Sequence, residues 1–306
     1  MQEKHLKPRI GIIGVPTNSA GTTDGVARAP QALREAGLIN ALARHCDVKD
    51  YGDVSFVAPS PERGSSGIIA ESSLVSMIHA VQLVVALSLK EERLPVVMGG
   101  DRPILLGCLA AARSLATANR PGLLFVDGHE DAYLPRQSST GEAADMELGL
   151  AIGRVTPGIS QELVDLLPLV DPADVSLLGV RDKAILQAEG VPSIASEFLS
   201  YNDATLIVGD IEQLTRDALQ HVRLHTNRWW LHIDLDVLST EALPAVDYLQ
   251  PGGLGWSQLT TLTTTALSTP GLAGIDVTIY NPDLDPGRVY AGRIIDYLSL
   301  LIPEHN

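Results

Sequence analysis

A chain of 306 residues, 45% of them hydrophobic, can bury a sizeable core, and no linker, low-complexity run or internal repeat divides it, so a single domain over residues 1–306 is expected. A formal net charge of −15 argues against nucleic acid as a partner, because phosphate binding needs a basic surface. The opening MQEKHLKPRI lacks the apolar core of a secretory signal, and two cysteines, Cys46 and Cys108, exclude a disulfide framework and suit a reducing, cytoplasmic setting.

Along the chain, short apolar runs alternate with longer stretches of helical period. Arg9–Gly14 reads as a strand, and Pro30–Ala36 and Ser72–Lys90 as helices. The latter is the most apolar helical stretch, but Ser76, His79, Gln82 and Ser88 interrupt it, so no membrane span is expected. Strand Pro95–Met98 and helix Pro103–Ala116 follow, then strands Gly122–Val126 and Val175–Val180, helix Ile211–Val222, strand Trp229–Leu235, helix Ser257–Leu267, strand Gly274–Tyr280 and helix Arg288–Leu301. Several strands are apolar throughout, as strands buried on both faces of a parallel sheet must be. The pattern predicts an α/β fold, three layers deep (α/β/α), with a mainly parallel, doubly wound sheet.

In such sheets ligands bind beyond the carboxyl ends of the strands. Three runs end there in carboxylates: PVVMGGDRP, LLFVDGHED and LHIDLDV. Asp127, His129 and Asp131 stand at alternate positions and can converge on one side of an extended segment. Asp234 and Asp236, two apart on an apolar strand, project to one face. Each pair has a plainer reading as turn or capping chemistry, but buried aspartates side by side need something positive between them. Oxygen and nitrogen donors without thiolate suit Mn²⁺ or a similar divalent ion. Asp127, His129, Asp131, Asp234 and Asp236 are therefore the candidate metal ligands.

These two motifs resemble the metal-binding signatures of the arginase/agmatinase (ureohydrolase) family. Gly99-Gly100-Asp101 resembles its first signature, Gly-Gly-Asp-His, and Asn281-Pro282 its closing one; IGVPTNSAGTTDGVARAPQALREAGL resembles its opening strand, loop and helix. The resemblance implies an arginase-like fold, a small-molecule substrate and a homo-oligomer, trimer or hexamer. It also implies two Mn²⁺ ions that share bridging aspartates and activate a hydroxide toward a guanidinium or amidine carbon. Asp127 and Asp234 would bridge, His129 and Asp236 would complete one metal, and Asp131 would serve the other.

This sequence departs from the family at four places. The histidine of Gly-Gly-Asp-His is Arg102, which has no lone pair for a metal. A guanidinium filling the vacated position and pairing with Asp131 and Asp127 predicts one tight ion rather than two, with Ni, Co or Fe as alternatives to Mn²⁺. The family's proton-shuttling histidine is Ala144, its guanidinium-binding glutamate is Ile279, and an aspartate contacting the substrate's amino group is Ala184. Asp131 and Glu142 are the candidate catalytic residues, Glu142 as a general base on a loop over the metals. Asp145 and Glu147 read as early acids of a helix start, and His232 as either a hydrogen-bond donor to a ligand carboxylate or a satisfied core histidine. The expected function is hydrolysis of a linear C–N bond in a guanidino, amidino, formimino or ureido compound other than L-arginine. The alternative is a non-catalytic paralogue that acts as a binding or regulatory subunit.

Overall fold

The structure, a computed structural model, describes residues 7–116 and 120–301. Eight strands form one parallel sheet: β1 (Arg9–Val15), β2 (Asp47–Asp53), β3 (Leu94–Gly99), β4 (Gly122–Val126), β5 (Val175–Gly179), β6 (Leu199–Asn202), β7 (Trp229–Asp234) and β8 (Leu272–Thr278). Their order across the sheet is β2-β1-β3-β8-β7-β4-β5-β6, and every neighbouring pair is parallel.

Period-two alternation sends successive side chains to two separate cores. Leu124 and Val126 of β4, with Trp229, Leu231 and Ile233 of β7, pack on one face. Leu123, Phe125 and Trp230 pack on the other. Helices cover both faces, so these strands are buried on each side, which explains why their sequences are apolar without a break. All six expected strands and all six expected helices form, with ends shifted by at most two residues.

The two strands that the sequence pattern does not announce, β2 and β6, are the edges of the sheet. Their residues are exposed or half-buried, so neither has the apolar run that betrays a central strand. The helix Glu71–Lys90 corrects another expectation: by length and apolarity it would suffice to cross a membrane. Its one face, with Leu74, Met77, Ile78, Val81 and Val85, is instead buried in the core that also holds the helix Ile104–Ser114.

Candidate metal centre

The three strand ends singled out in the sequence, those of β3, β7 and β4, lie together in the middle of the sheet, with β8 between β3 and β7. Beyond β4 lie Asp127, His129 and Asp131; beyond β3 lies Arg102. Asp234 is the last residue of β7, and Asp236 sits not on the strand but in the single 3-10 turn Leu235–Val237. That turn is what brings both carboxylates together: Asp234 Oδ1 accepts the backbone N–H of Asp236 at 2.7 Å. Similarly, Asp127 Oδ1 accepts the N–H of His129 at 2.7 Å, and Asp236 Oδ1 that of Gly128 at 3.1 Å. The capping chemistry and the clustering of acids are thus the same arrangement.

Arg102 is buried and enters this cluster as a cation. Its Nε donates to Asp234 Oδ2 at 2.6 Å, its Nη2 donates to Asp236 Oδ2, and Asp131 Oδ2 lies 3.5 Å from Nε. Of the two partners expected, Asp131 is within ion-pair distance, but among the described residues no ion pair joins Arg102 to Asp127. The sheet order gives the reason. Arg102 follows β3 and reaches across β8 to the aspartates of β7, whereas Asp127 belongs to β4, one strand further away.

Asp127 faces two imidazoles instead. His129 Nδ1 lies 3.6 Å from Asp127 Oδ1 and 2.9 Å from Asp236 Oδ2, yet makes no hydrogen bond. His232, fully buried and stacked 4.7 Å from the Phe125 ring, presents Nε2 at 3.7 Å from Asp127 Oδ2. Its other nitrogen meets Asp276 Oδ2 at 2.6 Å, and Asp276 also accepts the Trp230 indole N–H at 2.6 Å. His232 is therefore anchored on one side only. Burial alone would lower its pKa, but Asp276 and Asp127 outweigh that and carry it up to about 10.

Too much negative charge is gathered here for these cations to balance. Asp127, Asp131, Glu147, Asp234, Asp236 and Asp276 are all buried, against Arg102, His129 and His232. The consequence shows in the acids themselves. Burial, with the neighbouring charges of Asp236 and Asp127, pushes Asp234 up to about 8 despite Arg102. Burial and the charge of Glu147 hold Asp131 well above the ordinary carboxylate range, and burial with the charge of Asp127 does the same for Glu147.

Of the other acids in this region, Asp145 is structural: it accepts the Ser138 and Thr140 hydroxyls at 2.8 and 2.5 Å. Glu130 accepts Ser193 Oγ and the backbone N–H groups of Ile194 and Ala195, which ties down the following loop. Glu147 does not behave as a solvent-facing helix-start acid. It is fully buried and neither carboxylate oxygen has a hydrogen-bond partner. Asp276 escaped the sequence reading, although a carboxylate within the apolar run GIDVTIY carries the same signal as Asp234.

A cavity of about 210 Å³ opens onto Arg102, His129, Asp131, Thr140, Tyr248 and Gln250. Tyr248 also lines a second cleft of about 410 Å³ that holds Asp101, Glu142, Asp247 and Ile279. The Tyr248 hydroxyl donates to Glu142 at 2.6 Å, and Glu142 lines the second cleft rather than the cavity that opens onto His129. Ile279 is buried with φ of 72°, a left-handed conformation that a β-branched residue adopts only under strain. Ala144 is fully buried and contributes no polar group.

The residues fit a divalent ion at an outer position, on the side of His129. Asp127, His129 and Asp236 each present a ligand atom within 4.8 Å of the others, and His129 Nδ1 is unpaired. On the other side, a guanidinium bonded to Asp234 and Asp236 stands among the donors that a second ion would need.

The model of the "Arginase family" matches residues 8–298. The chain belongs to the arginase family. Over 261 residues it is 27% identical to the arginase of Bacillus caldovelox, covering 83% of this chain and 84% of that one. It is also 27% identical to human Arginase-1 over 285 residues, or 90% of this chain and 85% of that one. The native structure of the Bacillus caldovelox arginase superposes with a TM-score of 0.82, at 25% identity over 98% and 99% of the two chains. The agmatine ureohydrolase of Thermoplasma volcanium shares the fold, with a TM-score of 0.68 at 16% identity over 97% and 89%. In this member of the family the strand-end carboxylates and His129 gather beside a buried, ion-paired arginine.

Proposed function

We propose that the protein is a divergent ureohydrolase that cleaves a linear C–N bond of a guanidino, amidino, formimino or ureido compound other than L-arginine. The observation that carries this reading is the charge imbalance: six buried carboxyl groups face three cationic side chains, next to a cavity that Arg102, His129 and Asp131 line. Burial holds Asp131, Glu147 and Asp234 towards their protonated forms, and ionising them needs further positive charge, so a bound cation is the natural complement.

Asp127, His129 and Asp236 are the residues that would hold one tight ion, Mn²⁺ before Ni, Co or Fe. An ion of this kind supplies a water whose pKa is brought towards neutrality. Asp131, left to the guanidinium side, keeps an unpaired oxygen beside the cavity. Glu142, its pKa raised by burial against the opposing bond from Tyr248, is placed to take up a proton at the edge of the second cleft. Ile279 offers no charge to a guanidinium, and Ala144 has no proton to pass; both argue against arginine as substrate. The buried free cysteines agree with a cytoplasmic location, the single eight-stranded sheet agrees with one domain over 1–306, and the family resemblance supports a homotrimer or hexamer.

A second reading has its own support. Arg102 supplies the aspartates of β7 with a cation from the chain itself, as in a family member that binds a partner or ligand without turnover. An assay separates the two. Protein loaded with Mn²⁺ is expected to release urea or ammonia from members of a guanidino, amidino, formimino and ureido panel, and to leave L-arginine essentially untouched. No turnover on any compound would favour the non-catalytic reading, and L-arginine hydrolysis at the rate of an ordinary arginase would contradict the roles given to Ile279 and Ala144.

A further inference from the structure

Four buried polar atoms on three side chains lack any hydrogen-bond partner and converge behind the outer position. They are Asp127 Oδ2, His232 Nε2 and the carboxylate of Glu147. The three side chains are fully buried, and each offers a ligand atom within 4.8 Å of the others. Orphaned polar atoms are rare in protein interiors, because each forfeits its hydration without return. Three side chains aimed at one point call for a shared occupant. A first-row divalent ion, about 2.1 Å from each oxygen or nitrogen donor, holds those donors roughly 3–4 Å apart, close to the 3.7 Å between His232 Nε2 and Asp127 Oδ2.

The imidazole is already set as a ligand. With Nδ1 donating to Asp276 Oδ2 at 2.6 Å, an ion that displaces the Nε2 proton finds that atom 3.7 Å from Asp127 Oδ2, with its lone pair turned to the site. A carboxylate that fixes the tautomer and ring orientation in this way is the usual support of a metal-bound histidine. Asp276 is itself held by the Trp230 indole, and His232 by stacking on Phe125, so the ligand cannot swing away.

We propose that Asp127 Oδ2, Glu147 and His232 form a cation site for a divalent ion of the Mn²⁺ type, distinct from the positions that the family motifs supply. Neither Glu147 nor His232 belongs to those motifs. Asp127 is the common wall: Oδ1 faces His129 and the cavity, Oδ2 faces the buried site. While Arg102 occupies one flank of the outer cluster through Asp234 and Asp236, the buried site offers divalent charge to Asp127 and Glu147 from the opposite side. This site does not depend on turnover, and it stands or falls apart from the assignment of the outer ion.

The full-length protein, expressed with added Mn²⁺ and dialysed, is crystallised and mapped by anomalous scattering at the manganese edge, with metal per chain measured by mass spectrometry. A peak within bonding distance of Asp127, Glu147 and His232 is expected. Glu147→Gln, which keeps the side-chain shape, should lose this peak and about one equivalent of Mn²⁺ per chain. His129→Ala should keep it, and His232→Gln provides a second test should Glu147→Gln fold poorly. A wild-type map with no density there, or full wild-type Mn²⁺ content in both Glu147→Gln and His232→Gln, would overturn the proposal. An inactive enzyme with the peak present would bear only on the catalytic reading.

Discussion

Arg102 shows how one side chain can redirect a site. A histidine at this position would lend a lone pair to a metal; an arginine brings five N–H donors and a permanent charge. In this structure those donors are spent on Asp234 and Asp236, with Asp131 close by. Removing one partner of a buried pair typically costs about 3–5 kcal/mol, since the remaining charge is left uncompensated. Arg102→Ala is therefore expected to lower the stability of the metal-free protein by about that amount in denaturant titrations. Added Mn²⁺ should restore part of it, because an ion can then approach the freed aspartates. Arg102→His should raise bound Mn²⁺ by about one equivalent over the wild type; an unchanged ratio would mean that the guanidinium does not stand in a metal's place.

The strand ends and their turns carry the site, and they depend on close backbone approach. A Cβ on Gly128 would meet the Arg181 guanidinium and stand 2.8 Å from Asp236 Oδ1. That guanidinium also braces the loop after β7 by donating to Asp236 O at 2.7 Å. Gly128→Ala should thus destabilise the fold by about 1–3 kcal/mol, as overpacking commonly does, and weaken Mn²⁺ binding with it. Equal thermal stability and equal metal affinity would show that the turn has more room than its contacts suggest. These elements were largely legible in the sequence for a physical reason: β3, β4 and β7 are buried on both faces, so their runs are apolar nearly throughout and the acids that follow them stand out. The edge strands β2 and β6, half exposed, left no such trace. Asp127, His129, Asp131, Asp234 and Asp236 were readable from spacing alone, and the structure gathers them at one end of the sheet. Glu147 was not, since an acid at a helix start is ordinarily a surface residue, and only the packing beside Asp131 and Asp127 reveals that it is buried without a partner. The partners of Arg102 were also beyond the sequence, because they follow from strand order.

At the scale of the molecule, an acidic chain folds into an eight-stranded parallel sheet and collects buried carboxylates beyond the ends of its four central strands. The fold is that of the arginase family, while Arg102, Ala144, Ala184 and Ile279 stand where the motif resemblance implies polar groups that serve arginine. The central claim is that the guanidinium of Arg102 fills one of the two metal positions that the family resemblance implies, leaving Asp127, His129 and Asp236 to hold the ion that remains. The most direct measurement is the position of bound manganese in crystals of the wild-type protein saturated with Mn²⁺. The account predicts density beside His129 and Asp236 and none between Asp131 and Asp234, where Arg102 should stand paired with the aspartates. Two ions in the family arrangement, with Arg102 turned out of the cluster, would contradict it.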